Sequence, residues 1–270
     1  MRFDPASDKG ILHARVQAEH RSLARLPVGE ALADVVSWYW IVRWDLRGRP
    51  AYHAEVLSYP CVNITFEQTS TRTGAFVNGV TTRKYVRELS DVGETFGILF
   101  RPGGFGAFTG VDVGSLRDTH APLADVVPGA ERLAEAVAAE SDDGRRCDLV
   151  EEFFAGRSRV VDPHYALVSA IVRAMADDPE LTRVDQVTEA FDVPVRTMQR
   201  LFRRYVGAGP KWVLRRFRLQ DATDRLARDA TPDLAALAFD LGYFDQAHFT
   251  REFTREIGCA PAEYARRARG

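Results

Sequence analysis

The chain is poor in cysteine, nearly free of lysine and without a long apolar run. Its three cysteines, Cys61, Cys147 and Cys259, are odd in number and far apart. That excludes a disulfide framework and a Cys-x-x-Cys zinc site, and it fits a reducing compartment. The six histidines (His13, His20, His53, His120, His164, His248) form neither His-x-x-x-His nor His-Glu-x-x-His, so no metal and no cofactor is expected. A Gly-x-Ser-x-Gly elbow is also missing, which leaves hydrolase chemistry without its usual nucleophile. Arg101-Pro-Gly-Gly-Phe-Gly106 has glycines but neither the Lys-Ser/Thr of a P-loop nor full Gly-x-Gly-x-x-Gly spacing, and a strand-to-helix turn is the expectation. No segment approaches the roughly 18 apolar residues of a membrane span, and the opening residues carry no apolar signal core. A cytoplasmic protein with no membrane partner is therefore expected.

What is present describes an ordinary globular chain: 270 residues, 46% hydrophobic and 27% charged. At roughly 150 residues per domain this is two domains or one large one. The net charge of −2 hides an asymmetry, because residues 1–163 hold 19 basic and 23 acidic groups and residues 164–270 hold 17 and 15. Between Arg196 and Arg218 lie Arg200, Arg203, Arg204, Lys211, Arg215 and Arg216, with no acid. Such a stretch suggests a polyanion-facing surface, against the alternative of a solvated helix face. Arginine outnumbers lysine 33 to 3 across the whole chain, so part of the enrichment reflects composition.

The texture changes near residue 157. Before it, runs at 37–44, 61–66, 75–80 and 96–100 are rich in β-branched and aromatic residues and bounded by Gly, Pro, Asp and Asn, which predicts strands. Residues 131–139 and 148–154 have helical spacing. The fold class expected is a strand-rich α+β N-terminal domain over 1–156, a linker over 157–163, and an all-α C-terminal domain over 164–270.

The helical half repeats itself. At an offset of 51 residues Met198 falls on Phe249, Phe202 on Phe253, Gly207 on Gly258 and Pro210 on Pro261. Each copy reads as helix, short turn, second helix and Gly-x-x-Pro: 184–191 then 195–206, and 234–241 then 246–257. That is the helix-turn-helix layout, harder to dismiss as two bundle helices when it occurs twice. Asp245 suits an N-cap and Pro194 a helix start. In the first copy's second helix Met198, Leu201, Phe202 and Tyr205 share one side. Arg196, Arg200 and Arg203 lie opposite, with Gln199 on the flank. Arginine and glutamine are shaped to read guanine and adenine edges in the major groove, and phosphate contact without specificity is the alternative. In the second copy Phe249, Phe253 and Ile257 are expected inside, with Gln246, Ala247, Thr250, Arg251 and Thr254 outside. A helix over 211–227, about 25 Å long, would hold the two about one DNA turn apart. Arg204 and Lys211 complete the candidate set.

Arg196-Thr-Met-Gln-Arg-Leu-Phe-Arg-Arg-Tyr-Val-Gly-Ala-Gly-Pro-Lys-Trp212, Ala238-Phe-Asp-Leu-Gly-Tyr-Phe-Asp-Gln-Ala-His-Phe-Thr-Arg-Glu-Phe253 and Gly258-Cys-Ala-Pro-Ala-Glu-Tyr264 resemble the AraC/XylS family of bacterial transcription regulators. The resemblance covers about residues 164–270. It implies seven helices, two of them inserted in adjacent major grooves. Arg196, Gln199 and Arg200 would lie in the first of these, and Gln246, Ala247, Thr250 and Arg251 in the second. Asp192 stands where that family usually has glycine, and Pro194 where it often has a serine-like cap. Trp38-Tyr-Trp, Tyr59-Pro-Cys-Val-Asn-Ile-Thr-Phe66 and Phe100-Arg-Pro-Gly-Gly-Phe105 resemble an uncharacterised regulator domain joined to such a half.

The N-terminal aromatics Trp38, Tyr39, Trp40, Trp44, Tyr59 and Phe66 either form plain core or line an apolar effector pocket, with Asn63 or Arg101 as polar anchor. Cys61 reads as a buried inert thiol rather than a reactive sensor. The expected function is a sequence-specific, DNA-binding transcription regulator, acting on double-stranded DNA. A small-molecule effector, RNA polymerase and a second copy of the chain, docked through the helices near 131–154, are the further partners this reading admits. The alternatives are an enzyme or repair domain delivered to DNA by the helical half, and a structural or RNA-associated helical protein, although the latter would want exposed aromatic platforms.

Overall fold

The computed structural model describes residues 4–157, 162–229 and 231–269. A short helix, α1 (Ala14–Ala18), precedes eight strands: β1 (Ser22–Leu26), β2 (Val36–Asp45), β3 (Tyr52–Val56), β4 (Asn63–Thr69), β5 (Thr73–Asn78), β6 (Tyr85–Leu89), β7 (Val92–Phe100) and β8 (His120–Pro122). Six of them make an antiparallel sheet in the order β1-β2-β7-β4-β5-β8, and β3 and β6 pair as a separate ribbon.

Side chains alternate across a strand, and that period of two decides everything on this sheet. Tyr39, Ile41, Ile64, Phe66, Val77, Phe96, Ile98 and Phe100 are buried on one face. Covering them are α2 (Gly104–Thr109), α3 (Leu123–Val126), α4 (Glu131–Ala139) and α5 (Asp143–Ala155), through Phe105, Phe108, Leu123, Leu133, Val137, Val150 and Phe154. The other parity, Trp38, Trp40, Val42 and Trp44 on β2, looks toward the β3–β6 ribbon. The four anticipated runs became β2, β4, β5 and β7; the run at 61–66 starts as a loop through Cys61 and Val62. The segments β1, β3, β6 and β8 carry too many Arg, Glu and His to stand out by composition, because each is an edge or ribbon strand with a wet face.

The helical half runs α6 (Pro163–Asp177), α7 (Val184–Phe191), α8 (Val195–Leu201), α9 (Pro210–Arg228), α10 (Leu234–Asp240), α11 (Gln246–Ile257) and α12 (Pro261–Arg267). A strand-rich N-terminal region and a helical C-terminal region are thus what the sequence texture indicated. Part of the anticipated linker, 158–161, lies outside the described residues. Asp162 and Pro163 already belong to α6, as its N-cap and first residue. Two cores organise this half. Val168, Ile171, Val172, Met198, Leu201 and Phe202 pack in one, and Leu226, Leu237, Phe249, Phe253 and Tyr264 in the other. The spacer α9 feeds both, giving Val213, Leu214 and Phe217 to the first and Leu219, Ala222 and Leu226 to the second.

The repeated Gly-x-x-Pro has a local cause. Gly207 and Gly258 end their helices at φ of 80° and 96°, a left-handed conformation that glycine takes without cost. Pro210 and Pro261 then open α9 and α12, where a missing N–H is harmless.

The halves are packed together. Leu12 and Leu57 of the strand-rich part belong to the second helical core, and Ala208 belongs to the sheet core. On α9, the buried Arg216 donates from Nη2 to the carbonyl of Thr82 (2.9 Å), with Thr81 and Arg83 oxygens at 3.3 Å. Trp212 Nε1 donates to the same Thr82 oxygen at 3.2 Å, and the Arg216 guanidinium lies over the Trp212 ring. Gln220 Nε2 donates to Leu57 O at 2.7 Å, Lys9 pairs with Asp221, and Lys84 donates to the Ile257 carbonyl at 2.8 Å.

Candidate nucleic-acid interface and ligand cavity

The first helix-turn-helix is α7, a turn at 192–194 and α8. Asp192 adopts φ 48° and ψ 44°, the left-handed conformation that explains why glycine is usual there and why Asp, among the better tolerated residues, replaces it. Pro194 sits at the N-cap of α8 and offers no side-chain cap. Beyond Leu201 the helix widens into a π turn over Phe202–Val206, closed by Gly207 N donating to Phe202 O at 3.0 Å. Spacing at 3.6 residues per turn carries no sign of this widening.

Met198, Leu201, Phe202 and Tyr205 are all buried, while Arg196, Gln199, Arg200, Arg203 and Arg204 are exposed. Among the described residues, Arg196 and Arg200 have no carboxylate within ion-pairing distance. Neighbouring arginines are engaged: Arg215 with Glu256 and Glu252, Arg225 with Asp240, Arg228 with Asp224. The basic stretch therefore divides. Arg216 points inward and Arg218 lies over the Tyr243 ring, so neither belongs to an open cationic face, which corrects the simplest view of that run as one surface. Lys211, at the start of α9, is exposed. The N-terminal turns of α8 are open, whereas its C-terminal end meets the strand-rich part. A Cβ on Gly114 would come within 2.8 Å of Arg203 O, and one on Gly207 within 3.1 Å of Val113 O.

In the second motif, α10, a turn at 241–245 and α11, the Asp245 carboxylate accepts from His248 N at 2.6 Å and so caps α11. Phe249, Phe253 and Ile257 are buried; Gln246, Ala247, Arg251 and Thr254 are exposed and Thr250 half-buried. Two residues overlooked in the sequence are Phe239 and Phe244, 82% and 93% exposed beside this helix. The second motif's turn packs against the segment leading into the first motif: a Cβ on Gly242 would lie 2.5 Å from Thr182 Cγ2, ahead of α7. At 1.5 Å per residue the 19-residue α9 is about 28 Å long.

The strand-rich half holds an open-mouthed cavity of about 230 Å3 between the sheet face carrying Trp38, Trp40, Val42 and Trp44 and the β3–β6 ribbon. Of the candidate effector residues, Trp38, Trp40, Tyr59 and Asn63 line it. Arg101 does not; its Nε donates to Ala33 O at 2.8 Å, away from the cavity. Tyr39 and Phe66 face the helices instead, because strand parity sends them to the opposite side. Trp40 Nε1 donates to Asn63 Oδ1 at 3.2 Å, and Trp38 meets Tyr59 edge-on at 6.1 Å. Cys61 also lines the cavity, and burial pushes its thiol up, away from thiolate reactivity. Lining residues that sequence reasoning missed include Arg21, Arg25, Glu67 and Arg87. The available signal was the parity they share with the tryptophans, invisible until β1 and β6 are known to be strands. No group of three or more His, Cys, Asp or Glu among the described residues is placed to hold a metal ion, and no helix among them is long and apolar enough to cross a membrane.

Two helix-turn-helix units on one spacer, packed against a strand-rich domain with a cavity, define the architectural class. Residues 187–267 match the family described as a helix-turn-helix domain, and residues 25–122 match a domain of unknown function. The chain is 30% identical over 103 residues to the RCS-specific HTH-type transcriptional activator RclR of Escherichia coli K12, covering 38% of this chain and 36% of that one. It is 30% identical over 149 residues to a putative AraC-like transcription regulator of Streptomyces antibioticus, covering 54% and 47%. The chain thus spans about a third to a half of the length of these curated relatives. A crystal structure of ToxT from Vibrio cholerae superposes with a TM-score of 0.44 at 8% identity over 93% of this chain and all of that one, a correspondence too loose to build on. The helical half thus matches a helix-turn-helix domain and aligns with proteins named as HTH-type and AraC-like transcription regulators, and most of the strand-rich part falls within the domain of unknown function.

Proposed function

We propose that this protein is a sequence-specific, double-stranded-DNA-binding transcription regulator whose strand-rich half senses a small molecule. The carrying observation is the outer face of α8, where Arg196, Gln199 and Arg200 are exposed with no carboxylate partner for either arginine. Cations left open on a helix whose other side is fully buried are placed to meet phosphates and base edges. Arg203, Arg204 and Lys211 add backbone contacts, and Gln246, Ala247, Thr250 and Arg251 read the neighbouring groove from α11. Because that surface is smaller and less charged, it contributes less sequence discrimination.

The cavity's wall reaches the DNA-binding half within one or two residues. Lys9, Leu57 and Thr81 line it, and these same residues hold Asp221, Gln220 and Arg216 on α9. An occupant that moves them moves the rod separating the two reading helices. Contact with RNA polymerase belongs to this reading. Self-association through α4 and α5 would have to use their polar outer faces, since Leu133, Val137, Val150 and Phe154 already cover the sheet.

The test begins with selection of genomic fragments by the purified protein. On the selected site, Arg200→Ala or Gln199→Ala costs about 1–3 kcal/mol and relaxes one base position. Unchanged affinity of both variants for selected and random DNA would overturn the assignment of α8. Turnover by the protein with no duplex affinity would favour an enzyme instead.

A further inference from the structure

We infer that the cavity is built for a planar aromatic carboxylate, with its ring against Trp40 and Trp44 and its charge on Arg21. This deepens, and rests on, the reading of the strand-rich half as a sensor.

The floor comes first. In the β2–β7 register Trp40 stands opposite Gly97 and Trp44 opposite Gly93. A Cβ on Gly97 would lie 2.0 Å from Trp40 Cε2, and one on Gly93 would lie 2.2 Å from Trp44 Cζ2. Each indole therefore lies across a bare stretch of the neighbouring strand, occupying the space a side chain would take. Both rings line the cavity. A flat, polarisable floor of this kind favours another ring in offset or tilted stacking over a flexible chain.

The charge comes next. Four cations (Lys9, Arg21, Arg25, Arg87) line the cavity against one carboxylate, Glu67. Three of the cations are already matched. Lys9 pairs with Asp221 and Arg25 with Asp8, while Arg87 and Arg72 share the buried Glu67 at 2.9 and 2.7 Å. Arg21 differs. Its Nε and Nη2 donate only to the neutral amide oxygen of Gln17, at 3.0 and 2.9 Å, and among the described residues no carboxylate pairs with it. Burial weakens its hold on its proton, and the Asp8 carboxylate, which pairs with Arg25, offsets this only in part. On β1, Arg25 is opposite Trp40, and Ser22 is opposite Arg43. Arg21 stands one residue before β1, and carrying the register one step further sets it toward Trp44, at the end of the indole floor.

An apolar cavity of roughly 150 Å3 accepts benzene, so about 230 Å3 accepts a bicyclic ring or a single ring with a short acid arm.

Isothermal titration calorimetry of the full chain tests this with indole-3-acetate, indole-3-acetamide and octanoate, alongside duplex binding by the same preparation. The expected result is one saturable site for indole-3-acetate, with the amide and octanoate each at least tenfold weaker. Arg21→Gln lowers affinity for indole-3-acetate at least tenfold and leaves the amide within about twofold, a split that a merely structural role would not produce; Arg21→Lys restores part of the loss. Equal affinity for acid and amide, or an acid affinity indifferent to R21Q, overturns the assignment of Arg21. Octanoate binding as tightly as indole-3-acetate overturns the planar ring. Where R21Q does not fold, Trp40→Leu carries the test, and loss for indole-3-acetate without loss for octanoate supports the inference. Duplex binding without indole-3-acetate binding overturns the inference and leaves the regulator standing. Indole-3-acetate binding without duplex binding does the reverse.

Discussion

At the scale of single residues, three positions make the chemistry visible. Asp192 holds a left-handed turn that the resemblance to regulators already marked as a glycine position. Asp192→Gly is expected to raise stability by about 0.5–1 kcal/mol, as relief of left-handed strain outweighs the added freedom of the unfolded chain, and Asp192→Val to lower it by a similar amount. Urea midpoints at unchanged slope measure both. Gly97 has the opposite character, since any side chain there collides with the Trp40 indole. Gly97→Ala should cost about 1–3 kcal/mol by overpacking and shift the tryptophan emission. His13, also at positive φ, packs on the Tyr264 ring at 4.5 Å. Burial lowers its affinity for protons below the ordinary 6.5, with Glu55 opposing and Arg267 and Lys84 reinforcing. Above that pH both folded and unfolded chains are neutral at this site. As pH falls through 6.5 the unfolded chain takes up the proton first, so stability drops. His13→Asn keeps the turn conformation and should flatten the fall in melting temperature between pH 7 and pH 5.

At the scale of elements, the helices were legible because their signals are local. Apolar spacing fixed α7 and α11 to the residue, Asp245 caps α11 as its position suggested, and the duplicated Gly-x-x-Pro is a helix stop followed by a helix start. The π turn at the end of α8 was not legible, because a spacing of 3.6 residues carries no mark of it and the turn around Val113 that it packs against is distant in sequence. Half the strands were missed for a related reason. A strand with one wet face, such as Arg25 and its neighbours on β1, reveals its inner parity only when its partner is known. Five aromatic strand residues were named as pocket candidates, and parity then separated Trp38, Trp40 and Trp44 from Tyr39 and Phe66. On the duplex, Arg251→Ala in α11 is expected to weaken binding less than Arg200→Ala in α8, as fluorescence anisotropy with the selected site would measure.

At the scale of the molecule, the seam between the halves combines apolar packing with polar ties that are incompletely satisfied. Of the buried side-chain atoms without a hydrogen-bond partner among the described residues, His13 Nδ1, Arg216 Nη1 and Gln220 Oε1 all lie along it. A seam of this kind opens more readily than an apolar core. Arg216 is its central tie, and burial lowers the guanidinium to about 10. Arg216→Met should cost about 2 kcal/mol, the scale of charge-assisted hydrogen bonds, and increase proteolysis between the halves. It should also blunt any response of duplex affinity to a ligand in the cavity. Six phosphate contacts from the open cations would reduce duplex affinity about a thousandfold between 50 and 200 mM salt, read as a linear slope of log affinity on log salt.

The sequence by itself determined the helical half, its duplication and which faces of α8 and α11 are wet, since helix period, caps and glycine stops act within a few residues of one another. It also carried the aromatic content of the strand-rich half. Only the tertiary structure decided which aromatics line a cavity, that Arg101 stands outside it, that Arg216 is a tie instead of a surface charge, and that Arg21 lines the cavity with the indoles without an ion-paired carboxylate among the described residues. Those outcomes depend on strand register and on contacts between residues more than a hundred positions apart, and no local pattern encodes them.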